Sequence, residues 1–415
     1  MEPGVKVLIQ NSVFYPQVIG GAEMSSWLLA VELTRRGWEV DAMATTGYHG
    51  RGRDLVTRPI PEASGNVYEA PGSGLIDLFV DGAPPAAPNL LVRGIHHFSQ
   101  IRSLRWEQLA DEVMERARPD ILHTNTIVGM TGSIWRAARK RHIPVIHTLR
   151  DYFLLCPRTT LLRSSGEDCV DAPLPCRILR SGKLPATSCV DVVTAPSRFV
   201  LQSHLDAGAF SDAVAEVVPN ACESMVGDLP ARNGDGPTRG LFLGQIDHHK
   251  GVGLLMQALE GLLGEYHALE FDFGGVGPMQ DELVAFCARS EGRARYHGMV
   301  QGDGKARLLR DAHFVVVPSV WNDNFPRTML DAFSNGLPVI GTRRGGIPEV
   351  VRDQVDGIII EPDAGELAAA IRTYVEDPAL RLRHGAAAHA NARNYTLDHQ
   401  IDCFEDLYRR LLPPD

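Results

Sequence analysis

Short apolar runs alternate along this chain with longer stretches in which apolar positions recur every three or four residues. "VKVLIQ" (5–10) has the continuous apolar character of a buried strand. "MSSWLLAVELTRRG" (24–37) is amphipathic at helical spacing, and "EVDAMAT" (39–45) is a second strand. The alternation continues with "DILHTN" (120–125, strand), "GSIWRAARKRH" (132–142, helix) and "IPVIHTL" (143–149, strand). Residues 51–100 are weakly patterned and rich in Gly, Pro and Ala, which predicts loops and mobile elements. A polar stretch, "VGDLPARNGDGPTRG" (226–240), reads as an interdomain linker. A fresh series then begins with strands at "GLFLGQ", "LEFDFGG", "ARYHGMV", "HFVVVPS" and "PVIGTR". Between them lie helices at "GVGLLMQALEGLL", "MQDELVAFCARS", "DGKARLLRDA" and "RTMLDAFSNG", and the final "TLDHQIDCFEDLYRRLL" is helical.

A β-α-β alternation of this kind predicts doubly wound parallel sheets. The class expected is α/β, with two Rossmann-like domains over 1–220 and 221–395 facing a central cleft, and a terminal helix over 396–415 packing back on the first. The length of 415 residues agrees, since single cores stop growing well below it.

Composition, at 44% hydrophobic and 22% charged, is that of a soluble globular protein, and no apolar run is long enough for a membrane span. The strand pattern starts at once, without the apolar core of a signal peptide, so a cytoplasmic location is expected. The net charge of −10 is uneven: residues 1–220 carry 22 basic and 23 acidic side chains, and the remainder 19 and 28. Neither half has the basic excess of a general nucleic-acid binder. Seven cysteines, with no close Cys-x-x-Cys pair, point to free thiols; Cys156, Cys169, Cys176 and Cys189 leave a metal site open.

Ligands of open α/β sheets bind beyond the carboxyl ends of the strands, and four loops fall there. Gly20-Gly21, preceded by Tyr15 in the same loop, lets backbone amides approach an anion at a helix start. "GQIDHHKG" (244–251) carries Gln245 and ends near Lys250, a point charge suited to phosphate or to solvent. "GGVGPMQDE" (274–282) resembles a dinucleotide turn without completing the pattern. The fourth, "PSVWNDNFPRTMLDAFSNGLPVIGTRRGGIPE" (318–349), sets Asp323 and Asp331 on either side of a strand-to-helix turn with seven residues between them. Pro326 suits the first turn of the helix, whose early amides at Arg327 and Thr328 favour an anion. The bland reading of the two aspartates is a pair of solvated acids.

Taken together, "YPQVIGGAE…LAVELTRRGWEV", "PVIHTLRD", "TAPSRFV", "EVVPNA", "GQIDHHKGV", "YHGMV" and the long 318–349 stretch resemble glycosyltransferase family 4. The resemblance implies the two-domain GT-B fold and a retaining, metal-independent sugar transfer with no cofactor beyond a nucleoside-diphosphate sugar as co-substrate. The family carries two glutamates where this chain has Asp323 and Asp331. By position Asp323 contacts the donor sugar and Asp331 the ribose, with Asn324, Phe325, Pro326, Arg327 and Thr328 between them along the diphosphate. Met299 and Val300 match the strip that carries the base. Lys250 is retained, Gln245 replaces an arginine, and Arg150 replaces the histidine before Asp151 in the acceptor loop.

Lys250, Asp323 and Arg150 are therefore the catalytic candidates, with Arg150, Asp151 and Tyr15 toward the acceptor. Arg150 is a candidate to replace the charge missing at Gln245. The commonest family role, surface-polysaccharide or lipid-linked glycan assembly, is the expected one. The basic run "RAARKRH" (136–142) is either a solvated face or a peripheral contact with the inner face of a membrane or a lipid-linked acceptor. The His-His pairs at 96–97 and 248–249 are expected to be exposed, and Trp27 and Trp135 to pack helices. The four departures from the family pattern keep open a catalytically silent relative that binds a nucleotide sugar or glycan or scaffolds a partner transferase. A hydride-transferring enzyme is a more distant alternative.

Overall fold

The structure, a computed structural model, describes residues 4–18, 20–45, 55–70, 90–163, 165–223, 225–227, 229 and 236–412. Most of the expected linker (230–235) and part of the weakly patterned segment (71–89) lie outside the described residues. The chain divides into two compact units. Unit 1 comprises Met1–Leu161, Cys169–Val218 and Ile401–Asp415; unit 2 comprises Leu162–Asp168 and Pro219–Gln400.

Unit 1 contains β1 (Lys6–Gln10), α1 (Gly21–Arg35), β2 (Glu39–Thr45), β3 (Val56–Pro59), β4 (Asn66–Ala70), α2 (Leu90–Ser99) and α3 (Leu104–Ala117). It continues with β5 (Ile121–Thr124), α4 (Ser133–Lys140), β6 (Val145–Thr148), α5 (Leu174–Lys183), β7 (Val192–Ala195), α6 (Arg198–Asp206) and β8 (Val214–Val217). The sheet order is β3-β4-β2-β1-β5-β6-β7-β8. Every pairing is parallel except the edge strand β3, which runs antiparallel to β4. β3, β4 and α2 fall inside the 51–100 stretch that was expected to be loops. The pattern there is weak because β3 is exposed at the sheet edge, so only β4, with Val67, Tyr68 and Ala70 buried, has a face to bury.

Unit 2 contains β9 (Thr238–Leu243), α7 (Val252–Glu265), β10 (Leu269–Gly274), α8 (Gln280–Arg289), β11 (Ala294–Tyr296), α9 (Gly302–Asp311) and β12 (Phe314–Val317). Then follow α10 (Arg327–Ser334), β13 (Val339–Thr342), α11 (Ile347–Val350), β14 (Gly357–Ile360), α12 (Ala364–Glu376) and α13 (Pro378–Ala392). All six strands are parallel, in the order β11-β10-β9-β12-β13-β14. Both faces are covered. Phe314 and Val316 of β12 enter one core with α7, α8 and α12, whereas Val315 and Val317 enter the other with α9, α10 and α13. Strands buried on both sides read as unbroken apolar runs, which is why "HFVVVPS" shows no alternation.

The last helix, α14 (Leu397–Leu411), contributes Phe404, Leu407 and Tyr408 to the unit 1 core. The Tyr408 hydroxyl lies 2.7 Å from His123 Nδ1, and His123 Nε2 lies 2.7 Å from Thr148 Oγ1. Thr148 Oγ1 in turn meets Thr194 Oγ1 at 2.7 Å. A buried hydrogen-bonded chain thus runs from α14 across β5, β6 and β7. Trp38 Nε1 donates to Glu405 at 2.9 Å and Arg36 pairs with Asp402, fixing the outer face of α14 against α1 and the turn after it.

Burial keeps three histidines of unit 1 neutral. His123 is held down at about 3 and His204 at about 4, and His147 is pushed well below its ordinary value. Because these values are depressed on folding, the unfolded chain takes up the protons first. The stability they represent is whole above about pH 6.5 and is lost as pH falls toward about 4 and 3. The thermal midpoint should therefore drop on acidification from pH 7 to 4.5. His204→Phe should blunt the drop, since His204 Nε2 has no partner among the described residues. Tyr408→Phe should cost about 1–3 kcal/mol in urea unfolding at pH 7, because it strands a buried ring nitrogen. A midpoint that is flat with pH would mean that these histidines are not buried neutral.

Candidate functional site

The loops after β9 and β12 of unit 2 meet at a charged pair. Asp247 begins the first turn by accepting from His249 N and from the His249 ring, at 3.3 and 3.0 Å. These bonds hold the Asp247 carboxyl below its usual range. One turn of 3-10 helix (His248–Lys250) follows and closes on Gly251, at φ +76°. A Cβ at Gly251 would stand 1.8 Å from the Pro318 carbonyl oxygen, so only glycine lets these two loops touch. The contact delivers Lys250 Nζ to 2.7 Å from Asp323 Oδ2 and to 4.9 Å from the Trp321 ring centroid.

Asp323 is 4% exposed, so its charge depends on the donors around it. Ser319 Oγ (3.0 Å) and Trp321 Nε1 (3.2 Å) join Lys250 on Oδ2. The Asp323 carbonyl accepts from Gly346 N at 2.8 Å. Gly345, at φ +55°, passes so close that a Cβ would lie 2.1 Å from that same carbonyl oxygen. The strand end, the "TRRGG" turn and Lys250 are thus mutually fixed.

α10 starts at Arg327 with Pro326 as its N-cap; no side chain caps it, and Met329 N donates to the Pro326 carbonyl at 3.1 Å. Thr328 Oγ1 donates to the Leu243 carbonyl at 2.9 Å, tying the helix start to the end of β9. Phe325 is buried beneath this turn and Asn324 is buried beside it. Asp331 lies on the second turn, 2.7 Å from Lys305 Nζ of α9. Glu223 spans the neighbouring cations, 3.0 Å from Arg327 and 3.9 Å from Lys305. Burial raises the Asp331 carboxyl above its ordinary value, with Lys305 the strongest opposing influence.

The expected base strip at Met299 and Val300 is positioned by similar close approaches. A Cβ on Gly275 would collide with the Gly244 carbonyl at 1.8 Å, and Gly275 N donates to the Gly298 carbonyl at 2.7 Å. Val300 packs on the core while Met299 is exposed. Gln245 is exposed at the end of β9. Unit 2 therefore brings together Lys250, Asp323, Asn324, Phe325, Pro326, Arg327 and Thr328, with Asp331 one turn along. The reading of the sequence missed Ser319, Trp321, Lys305 and Glu223. Trp321 and Ser319 stood inside the quoted stretch, but no local pattern connects Lys305 with Asp331.

The remaining candidates belong to unit 1. Arg150 Nε donates to Asn125 Oδ1 at 3.1 Å. Asp151 accepts from Phe153 N at 2.7 Å, and burial pushes its carboxyl up to about 6. Lys183, also missed, donates to the Phe153 carbonyl at 2.7 Å with its ammonium 3.6 Å from the ring centroid; burial lowers it to about 8. Tyr15 stacks on Trp27 at 4.3 Å.

Two expectations need correction. The Gly20 amide is taken by Glu23 Oε2 at 2.8 Å, because the first turn of α1 supplies its own acid, so that N–H is already satisfied. His96 is buried rather than exposed, its ring facing inward from α2. The run 136–142 is largely neutralised by acids of its own unit: Arg139 meets Asp191, Lys140 meets Glu107 and Arg141 meets Asp111. Its solvated-face reading fits these pairs. The cysteines are free thiols, and among the described residues no group of three or more His, Cys, Asp or Glu is placed to hold a metal. No helix among them is long and apolar enough to cross a membrane.

Comparison with known proteins matches residues 20–221 to the "Glycosyl transferase 4-like domain" and residues 237–377 to "Glycosyl transferases group 1". A 42.6 kDa protein of the cps region of Klebsiella pneumoniae is 24% identical, over 84% of this chain and 88% of that protein. The D-inositol 3-phosphate glycosyltransferase of Corynebacterium diphtheriae is 24% identical, over 94% of this chain and 89% of that enzyme. Among solved structures, sucrose-phosphate synthase from Thermosynechococcus elongatus superposes with a TM-score of 0.74 at 17% identity, covering 98% of this chain and 99% of that one. HepE from Anabaena, solved with UDP-glucose, superposes with a TM-score of 0.66 at 17% identity, covering 98% and 99%. With two matched family models spanning both sheets, two parallel-sheet α/β domains and GT-B structural neighbours, the chain belongs to the glycosyltransferases of family 4.

Proposed function

We propose that this protein is a retaining glycosyltransferase that moves a sugar from a nucleoside-diphosphate sugar to an acceptor hydroxyl in surface-polysaccharide or lipid-linked glycan assembly. The observation that carries the reading is the Lys250–Asp323 pair at 2.7 Å, beside the N-terminus of α10, which no side chain caps. UDP-glucose in the HepE structure supports a UDP-sugar as the first donor to try, and the cps-region relative supports the polysaccharide role.

In this reading the diphosphate lies over the first amides of α10. Lys250 turns from Asp323 toward the phosphate oxygens, and Asp323 takes hydroxyls of the donor sugar. The bond between the anomeric carbon and the phosphate oxygen breaks with its electron pair going to the phosphate. Lys250 and the helix amides stabilise that growing charge, a preorganised role that needs no metal in this scheme. The acceptor oxygen attacks the anomeric carbon from the face the leaving group departs, and its proton passes to the leaving phosphate. Arg150 and Asp151 are proposed for the acceptor. Peripheral contact of unit 1 with a membrane is also proposed. Its support is α5, which exposes Leu174 and Ile178 one turn apart beside the exposed Arg177.

The test is release of free nucleoside diphosphate from a panel of UDP-, GDP- and ADP-sugars, with and without glycan acceptors. Turnover with retained anomeric configuration is the expected result. Binding without turnover under any acceptor would instead make the chain a catalytically silent relative. Lys250→Ala should lower the rate about 100-fold, the size of loss seen when one oxyanion-stabilising donor is removed. An unchanged rate would take Lys250 out of the chemistry.

Gly345→Ala should depress turnover more strongly than stability. It forces the "TRRGG" turn away from the Asp323 carbonyl and so moves the carboxylate. A variant with full activity would show that Asp323 does not depend on this contact.

A further inference from the structure

We infer that Lys305 is a positioning residue for nucleotide recognition, holding the Asp331 carboxylate charged and directed so that it can accept both hydroxyls of a ribose. The inference rests on the donor-site reading above and adds to it the residue on which the ribose-binding acid depends.

The geometry is specific. Lys305 lies in the first turn of α9 and reaches across to α10, placing Nζ 2.7 Å from Asp331 Oδ2. The Asp331 side chain is only 17% exposed. An ionised carboxylate is acceptor-only and can take two hydroxyl hydrogen bonds, whereas a protonated one must give up part of that capacity to donate. The acid therefore has to remain charged in a site that disfavours charge.

The groups facing it come from three segments. From α9 comes Lys305, from α10 Arg327, and from the segment entering unit 2 come Glu223 and Cys222. Burial raises the Asp331 carboxyl and Glu223 pushes the same way. Lys305 opposes them most strongly, followed by Arg327, whose guanidinium is itself held by Glu223 at 3.0 Å. The Cys222 thiol, pushed up to about 11, is neutral at working pH and adds no charge. Lys305 is thus the principal group that keeps Asp331 ionised. It is 26% exposed, so its stem can follow the carboxylate when a ligand enters.

The chain also explains why an extra positioning group is needed here. An aspartate on α10 has one rotatable bond fewer than the glutamate of the family pattern. Its carboxylate therefore reaches less far toward solvent, and a cation beside it replaces part of what water would supply.

The test is the affinity for UDP, measured by calorimetry from pH 5 to 8.5, in wild type, Lys305→Met, Lys305→Arg and the double variant Lys305→Met/Asp331→Asn. Thermal unfolding should establish that each is folded. UDP titrates its own phosphate, but that contribution is common to all four proteins. Wild-type affinity should fall on acidification as Asp331 is protonated. Lys305→Met should move that fall to higher pH, with about a tenfold loss of affinity at intermediate pH that recovers toward pH 8.5. Lys305→Arg should leave the midpoint near its wild-type position, and the double variant should lose the added pH dependence.

A Lys305→Met profile that parallels wild type at every pH, whether weakened uniformly or unchanged, would overturn the role of Lys305 while leaving the donor reading intact. Wild-type protein that binds neither UDP nor GDP nor ADP would overturn both.

Discussion

Lys250 and Asp323 come from loops 73 residues apart in sequence, and their contact is possible only because the backbone around them is compressed. Two glycines set the spacing. Gly251 abuts the Pro318 carbonyl and Gly345 abuts that of Asp323, each at a distance no Cβ tolerates. The pair itself is a poor source of stability, since a partly buried ion pair spends most of its attraction on desolvation. Its value lies in what it leaves in place: a cation and an anion, both ready, beside the N-terminus of α10. A ligand that brings phosphate to the cation and hydroxyls to the anion exchanges one set of partners for another without leaving either charge bare.

Asp323 also illustrates how a shortened acid can be accommodated. Its Oδ2 receives a lysine, a serine and an indole N–H, so the carboxylate remains oriented when Lys250 moves. Among the described residues, Asp331, one turn into the helix, has no comparable set of neutral donors around its carboxylate and leans on Lys305. The two aspartates share a sequence spacing but are stabilised by different means, one by a cluster of hydrogen bonds that includes Lys250 and one chiefly by Lys305.

Much of this was legible in the sequence because unit 2 is built from local units. Each strand, turn and helix is contiguous, so "HFVVVPS…NDNFPRTMLDAF" already placed a carboxylate before and after a helix start. Lys250 was legible for the same reason, at the end of a strand and before the apolar repeat of α7. β14, α12 and α13 were not singled out; α13 is rich in small residues, "HGAAAHANA", and packs on α10 largely through Ala388 and Ala392. Lys305 and Glu223 could not be seen, because what joins them to Asp331 is the packing of α9 and the entry segment against α10. The fate of the Gly20 amide was equally hidden: two glycines advertise open amides, but Glu23 three residues on had already claimed one. In unit 1 the sequence signal faded for a different reason. The loop after β6 that carries Arg150 and Asp151 is held by Lys183 and Arg180, which donate to the Phe153 and Leu155 carbonyls from α5, 30 and 25 residues away.

The two units solve the burial of ionisable groups in opposite ways. Unit 1 keeps His123, His147 and His204 neutral: His123 joins β5 to α14 and β6, His147 joins β6 to β5, and His204 bonds back to the Val200 carbonyl of its own helix. Unit 2 keeps its key groups charged and pairs them: Lys250 with Asp323, Lys305 with Asp331, Arg327 with Glu223. Neutral groups serve a scaffold, since they satisfy donors and acceptors without the desolvation of a charge. Paired charges serve a site that must receive a ligand carrying negative phosphates and neutral hydroxyls, because each member of a pair already has the character of the ligand group its partner will meet. The Lys250 ammonium facing Asp323 is preorganised for a phosphate oxygen, and the Asp331 carboxylate facing an ammonium is preorganised for hydroxyl donors. The polarity of the ion pairs in the site thus mirrors the polarity of the ligand proposed for it.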